Sequence, residues 1–133
     1  MDPFLTTVAV IILLAFIVKL SMNTRMNRSI GKPAPDMSEI SGHTLGPDET
    51  AMVYFYGPHC RACKPMTPVV KAMGEKQINV YVVDISERPR LARDFGLIAT
   101  PTVMLVRNGL ISQVRVGTLS QAKLEQMLSN DSA

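Results

Sequence analysis

The only two cysteines of the chain, Cys60 and Cys63, are separated by two residues and follow a short apolar run. Residues three apart on a helix share a face, with Cβ atoms roughly 5 to 6 Å apart, so their sulfur atoms can be joined after a small adjustment. The spacing and the preceding strand predict Cys60 at a helix N-terminus, where free N–H groups and the helix dipole stabilise a thiolate. We therefore expect Cys60 to be an exposed nucleophile and Cys63 a resolving thiol in disulfide exchange.

Two neighbours of Cys60 are candidate modulators of its reactivity. Arg61 places a positive charge beside the thiol, which is expected to lower its pKa and to make the disulfide more oxidising. His59 is expected to be an exposed loop residue, and as a titratable ring next to Cys60 it is also a candidate modulator.

Other kinds of site share the C-x-x-C spacing. Haem attachment requires a histidine directly after the second cysteine, where this chain has Lys64. A structural zinc site requires four ligands, and neither His43 nor His59 lies at a customary ligand spacing from the cysteines. Metal binding and an inert structural pair remain alternatives to redox chemistry, and we assign no metal and no other cofactor.

The apolar pattern predicts a mixed α/β domain around this pair. Short buried strands are expected where apolar runs are bounded by turn residues, and helices where apolar residues recur three and four apart. The predicted order is a strand at 51–56, a helix through 66–73, a strand at 78–83, a short helix ending at Gly96, hairpin strands at 102–106 and 110–116, and a helix from about Ser120. This order predicts a mixed central sheet with helices on both faces.

Four stretches in this order resemble the thioredoxin family over about residues 45–130. They are the strand, active-site turn and kinked helix at 55–68, the loop Thr100-Pro101-Thr102, the hairpin turn Asn108-Gly109, and the glycine turn at 116–120. The resemblance implies a thioredoxin fold, and protein substrates that carry disulfides or thiols, served by an upstream thiol reductant or oxidant. It also implies that Pro101 is a cis-proline facing the dicysteine, and that Thr100 and Pro101 present a backbone edge that binds the substrate.

The chain departs from the family pattern at two positions. Tyr54 stands where the family has a buried acid that helps to deprotonate the resolving thiol, so Cys63 is expected to lose its proton by another route, such as to water, or to react more slowly near neutral pH. His59 replaces the usual tryptophan, which makes part of the docking surface polar and titratable.

An uncharged run at residues 4–18, extended past Lys19 to Met22, predicts a short transmembrane helix. A cleaved signal peptide is the alternative, but it would want a basic start, a shorter apolar run and small residues before the cleavage site. We expect a transmembrane anchor at residues 1–22, with membrane contact through residues 4–22. A linker is expected at 23–44 and a thioredoxin-like domain at 45–133.

Positive charge is concentrated after the uncharged run, in Lys19, Arg25, Arg28 and Lys32, whereas residues 34–133 carry ten basic and ten acidic residues. A neutral domain argues against nucleic-acid binding. The positive-inside rule favours a cytoplasmic domain. Residues 31–36, however, resemble the opening of membrane-tethered thioredoxin-like reductases that act outside the bacterial cytoplasmic membrane. The side stays open between these two, and we follow the charge rule in favouring the cytoplasmic face.

The predicted function is a single-pass, membrane-tethered thiol-disulfide oxidoreductase of the protein-disulfide reductase type that works through Cys60 and Cys63. The alternative is a non-catalytic thioredoxin-fold binding module or a copper or zinc carrier.

Overall fold

The computed structural model describes residues 2–131, which form five helices and four strands. The elements are α1 (Pro3–Asn27), α2 (Ser38–Ser41), β1 (Thr50–Tyr56), α3 (Thr67–Lys76), β2 (Val80–Asp84), α4 (Pro89–Asp94), β3 (Thr102–Arg107), β4 (Leu110–Val116) and α5 (Gln121–Asp131). From β1 onward, their order is the predicted one.

The four strands form one mixed sheet in the order β2-β1-β3-β4. β1 runs parallel to β2 and antiparallel to β3, and β3 and β4 form the antiparallel hairpin predicted from Asn108-Gly109. Phe55, near the end of β1, pairs with Thr102 at the start of β3. The chain that follows β1 and the chain that precedes β3 therefore meet at one edge of the sheet.

β1 is central, and residues 51–55 are fully buried because both faces of the sheet are covered. Val53 and Phe55 belong to a cluster that includes residues of α4 and the end of α1. Met52 and Tyr54 belong to the opposite cluster, which includes residues of α3 and α5. The prediction of helices on both faces is confirmed.

The predicted second strand begins two residues later than expected, at Val80. Ile78 and Asn79 form a turn instead, in which the Ile78 side chain is 95% exposed. The Asn79 side-chain amide donates to the Thr50 carbonyl at 3.2 Å. An apolar run alone could not separate this exposed turn residue from the buried strand after it.

Helix α1 is long and apolar enough to cross a membrane, by length and composition. It does not stop at the end of the predicted anchor but continues to Asn27. Met26, in its last turn, is only 1% exposed because it packs into the cluster around Val53 and Phe55. The end of α1 is therefore part of the domain's packing.

The segment after α1 also lies on the sheet. The Gly31 N–H donates to the Ile111 carbonyl at 2.8 Å, and the Ile111 N–H donates to the Lys32 carbonyl at 3.0 Å. Two residues on, the Ala34 N–H donates to the Gly109 carbonyl at 2.8 Å. These contacts join the stretch 23–44 to the β3–β4 hairpin. The expectation that this stretch acts as a linker between anchor and domain stays a prediction.

Replacing Met26 tests how firmly the end of α1 belongs to the domain. Met26→Ala should lower the free energy of unfolding by about 2–5 kcal/mol, because it leaves a cavity in a packed cluster. The measurement is denaturant unfolding of the full chain in detergent micelles. Asn27→Ala, which changes the exposed neighbouring side chain, is the control. Equal stability of the two variants would mean that residues 23–44 are a loose linker after all.

Candidate active site

Cys60 and Cys63 form a disulfide, with their Cα atoms 5.3 Å apart. Cys63 is 2% exposed, whereas Cys60 is half-buried and reaches the surface. Of the two cysteines, Cys60 is therefore the one that another macromolecule can reach. This is the arrangement expected of a nucleophile backed by a resolving thiol.

The sequence predicted the dicysteine in the first turn of a regular helix. In the structure it lies in a turn that precedes the helix. Regular α-helix begins only at Thr67. Pro65 and Pro68 have no N–H, so they cannot donate to the carbonyls four residues before them. The Arg61 carbonyl instead accepts from the Lys64 N–H, three residues later, at 3.2 Å, and the Cys63 carbonyl accepts from the N–H groups of Met66 and Thr67 at 3.0 and 2.8 Å. We call residues 57–66 the cysteine turn.

The cysteine turn still directs a backbone donor at Cys60. The Cys63 N–H lies 3.2 Å from the Cys60 Sγ atom, in hydrogen-bonding geometry. In the reduced state such a donor favours the thiolate over the thiol. Arg61 and His59 are exposed on either side of Cys60, so their positive charge, when present, is screened by solvent.

Thr100 and Pro101 lie at the same edge of the sheet, at the end of a segment, residues 96–101, that we call the proline loop. The Thr100-Pro101 peptide bond is cis, as expected. The Gly117 N–H donates to the Pro101 carbonyl at 2.9 Å, and the Thr118 hydroxyl donates to the Ala62 carbonyl at 3.0 Å. Two consecutive residues thus connect the proline loop with the cysteine turn.

A pair of hydroxyl groups, from the buried Tyr54 and the half-buried Thr67, lies beside the Cys63 carbonyl. The Tyr54 hydroxyl oxygen is 2.8 Å from Thr67 Oγ1 and 3.5 Å from the Cys63 carbonyl oxygen. Thr67 Oγ1 donates to that carbonyl at 2.9 Å. The arrangement with the shortest distances has Thr67 donating to the carbonyl and Tyr54 donating to Thr67, with the 3.5 Å approach of Tyr54 to the carbonyl as the weaker alternative.

The Tyr54 side chain is fully buried, and this burial raises the pKa of its hydroxyl above the ordinary value. The group therefore stays protonated and uncharged near neutral pH. It can orient the backbone of Cys63 through Thr67, but it cannot accept a proton as a carboxylate would. Sequence reasoning missed Thr67, although its position four residues after Cys63 was a signal for contact on a helical face.

His43 lies against Glu49, with 3.2 Å between its Nε2 atom and a carboxylate oxygen. Between Asp2 and Asp131, no three His, Cys, Asp or Glu side chains form a group that could hold a metal ion.

Comparison with known proteins agrees with this geometry. The profile of the family described as Thioredoxin matches residues 39–130, more than half of the chain. The chain belongs to the thioredoxin family. It is 28% identical to a thioredoxin of Rickettsia bellii, over 65% of this chain and 86% of the relative. It is 29% identical to Thioredoxin 1 of Nostoc, over 68% of this chain and 88% of the relative.

Solved structures of thioredoxins are similar as well. The reduced thioredoxin pre-protein of Schistosoma mansoni is 30% identical, with a TM-score of 0.54 over 63% of this chain and 80% of that one. A Malassezia sympodialis thioredoxin, 23% identical, has a TM-score of 0.58 over 78% of this chain and 96% of its own, and supports the fold alone. With the dicysteine in place, membership of the thioredoxin family identifies the chain as a thiol-disulfide oxidoreductase.

The burial of Tyr54 predicts a loss of stability at alkaline pH. Its pKa is 10.0 in the unfolded reference and higher in the folded protein, so the folded state holds the proton more tightly. This contribution is intact below pH 10.0 and is lost as pH rises above it. The slope due to one proton is at most about 1.4 kcal/mol per pH unit. Tyr54→Phe should show a shallower decline in unfolding free energy between pH 9 and 11.

The control for that measurement is Tyr56→Phe, which also removes one phenol but keeps Tyr54 and its bond to Thr67. It should retain the alkaline decline of the parent protein. Identical pH dependence of the parent and of Tyr54→Phe would contradict the claim that folding raises the pKa of Tyr54.

Proposed function

We propose that this thioredoxin-family protein is tethered to a membrane and exchanges disulfides with protein substrates through Cys60 and Cys63. The observation that carries the proposal is the disulfide between a surface-reaching Cys60 and a buried Cys63, beside the cis-proline loop. No bound cofactor is needed, because the two sulfur atoms take up and release the electron pair.

In the reducing direction, the Cys60 thiolate attacks one sulfur of a substrate disulfide. A bond forms between that sulfur and Cys60, and the other substrate sulfur leaves as a thiolate. The Cys63 thiolate then attacks the Cys60 sulfur, which releases the second substrate thiolate and restores the internal disulfide. The substrate gains two electrons and the dicysteine loses two; an upstream dithiol reduces the pair again.

The proton of Cys63 passes to water or to a departing substrate thiolate. The neighbouring Tyr54 hydroxyl is already protonated, and its partner Thr67 donates to the Cys63 carbonyl. The Cys63 N–H supports the Cys60 thiolate, and Arg61 and His59 modulate it from the exposed side.

The substrate chain is held by the proline loop. Pro101 is buried and its carbonyl is bound to Gly117, whereas Thr100 is half-buried at the surface of the same edge. An extended substrate segment lying along Thr100 would bring its disulfide to Cys60, in the manner of a strand added to a sheet edge.

A membrane anchor is supported by α1. Its apolar run is exposed, as a lipid-facing segment would be. The same helix continues without a break to Met26, which packs into the domain. Cleavage after the apolar run would sever a helix whose end belongs to the folded core, and this favours an anchor over a removed signal peptide. The basic residues after the run favour the cytoplasmic face.

Insulin-disulfide reduction by the full chain in detergent, with dithiothreitol as reductant, tests the exchange reaction. Cys60→Ser should lower the rate to that of dithiothreitol alone, because the attacking sulfur is gone. Cys63→Ser, reduced beforehand and then freed of dithiothreitol, should accumulate a mixed disulfide with the substrate, visible on a non-reducing gel. Ala62→Ser, which introduces the same side chain at an exposed position between the cysteines, should keep the parent rate.

Undiminished turnover by Cys60→Ser, or none by the parent protein, would remove the oxidoreductase mechanism in favour of a binding module. Metal analysis of the reduced, purified protein separates out the carrier. Stoichiometric copper or zinc without disulfide exchange would support that alternative.

Labelling of Cys60 with a membrane-impermeant thiol reagent tests the tether and its side. The Cys63→Ser variant is used, so that Cys60 cannot be hidden in the internal disulfide. A cytoplasmic domain predicts that the protein stays in the membrane pellet after carbonate extraction and is labelled only once the cells are permeabilised. Labelling in intact cells would place the domain outside, and release by carbonate would contradict the anchor.

A further inference from the structure

Helix α1 and the proline loop line a common groove. Ile98, three residues before Pro101, lines a groove together with one side of α1. The α1 residues in this groove are Ile17, Val18, Ser21, Met22 and Arg25. Ile17 and Val18 belong to the end of the uncharged run of the anchor. Ile98 therefore lies level with the last turns of the segment that is apolar enough to cross a membrane.

Two further contacts fix this placement. Ser29, just beyond α1, is buried, and its hydroxyl would lie 3.7 Å from a Cβ atom built on Gly96 at the start of the proline loop. Met26 is held in the packed cluster that also contains Phe95, the residue before Gly96. Packing at Phe95 and at Gly96 thus holds the end of α1 and the residues just after it against the domain.

The chemistry of this surface suits the headgroup layer of a bilayer. Ile98 is 47% exposed, an apolar tip on a surface loop. It also lines a neighbouring groove that includes Arg93 and Thr100. Ile98 thus lies between two grooves that each include an arginine, Arg25 in one and Arg93 in the other. Apolar side chains enter the boundary of the acyl chains while basic ones pair with anionic lipid, so this combination is typical of a membrane-surface contact.

We propose that the proline loop rests on the membrane that α1 spans, with Ile98 among the lipid headgroups, so that the dicysteine works at the bilayer surface. The inference rests on the proposed membrane anchor. The surface formed by Ile98, Arg25 and Arg93 would thus contact the anionic lipids that surround α1. The consequence is that the disulfides within reach are those presented close to the membrane plane.

Fluorescence quenching by lipids measures the depth of Ile98 directly. In the Cys60→Ser, Cys63→Ser background, Ile98→Cys is labelled with bimane and the full chain is placed in vesicles of phosphatidylcholine and phosphatidylglycerol that contain doxyl-labelled lipid. Ile78→Cys is the matched control. Ile78 is an exposed isoleucine just before β2, and because β2 runs parallel to β1, it lies at the end of the sheet opposite to the dicysteine, which follows β1. Quenching should be several-fold stronger at position 98 than at position 78. Equal quenching would overturn the inference.

An insertion of Gly-Ser-Gly-Ser between Met22 and Asn23 tests the role of α1. It interrupts the helix but leaves Met26 in its cluster, so the label at position 98 should lose its excess quenching. Undiminished quenching would overturn the inference that α1 holds the loop at the surface.

Flotation of the same vesicles separates this inference from the proposed anchor. Protein that fails to float with the lipid contradicts the anchor itself, and the surface placement fails with it. Protein that floats without excess quenching at position 98 contradicts only the surface placement.

Discussion

The pairing of β1 with β3 is the constraint on which the site depends. Because these two strands are antiparallel and Phe55 opposes Thr102, the cysteine turn leaves the sheet where the proline loop enters it. The side chains of β1 are buried on both faces, so a slip of one residue would exchange the side chains that pack in the two opposite clusters. The hydrogen bonds of Gly117 and Thr118 then join the two loops. The position of Pro101 relative to Cys60 is thus a property of the sheet, not of the loops alone.

In the proposed mechanism, the hydroxyl pair of Tyr54 and Thr67 changes how the Cys63 thiol loses its proton. A buried carboxylate carries a charge that can hold a proton, but its own burial is unfavourable. Tyr54 and Thr67 are neutral and hydrogen-bonded, so the core beneath the site keeps no charge. What the protein gives up is a proton acceptor next to the sulfur. In the proposed mechanism, the step in which Cys63 attacks would therefore depend on solvent and on the substrate thiolate, whereas the attack by Cys60 would keep its backbone donor from Cys63.

The parts of the structure that could be predicted from the sequence are those with strong local signals. The covered strand β1, the Asn108-Gly109 hairpin and the dicysteine after a strand are read within a few residues, and the family resemblance supplied the cis bond at Pro101. The later start of regular helix, at Thr67, was missed although its cause is local, because Pro65 and Pro68 cannot donate to the carbonyls four residues before them. The other parts that could not be predicted depend on distant contacts. The burial of Met26 depends on a sheet that forms more than twenty residues later.

The packing of Met26 also decides how freely the domain can move relative to the N-terminal helix. A flexible coil of the length assigned to the linker, residues 23–44, would have a root-mean-square extension of about 25 Å. A domain on such a tether samples many heights and orientations above a bilayer, and its active site meets substrates in any direction. In the structure, the chain instead enters the domain as helix, packs at Met26 and forms hydrogen bonds to β4 through Gly31 and Lys32. If α1 spans the membrane, the orientation of the dicysteine is set by the same contacts that hold the core together. Choice of partner would then come from geometry as much as from the groups that surround Cys60.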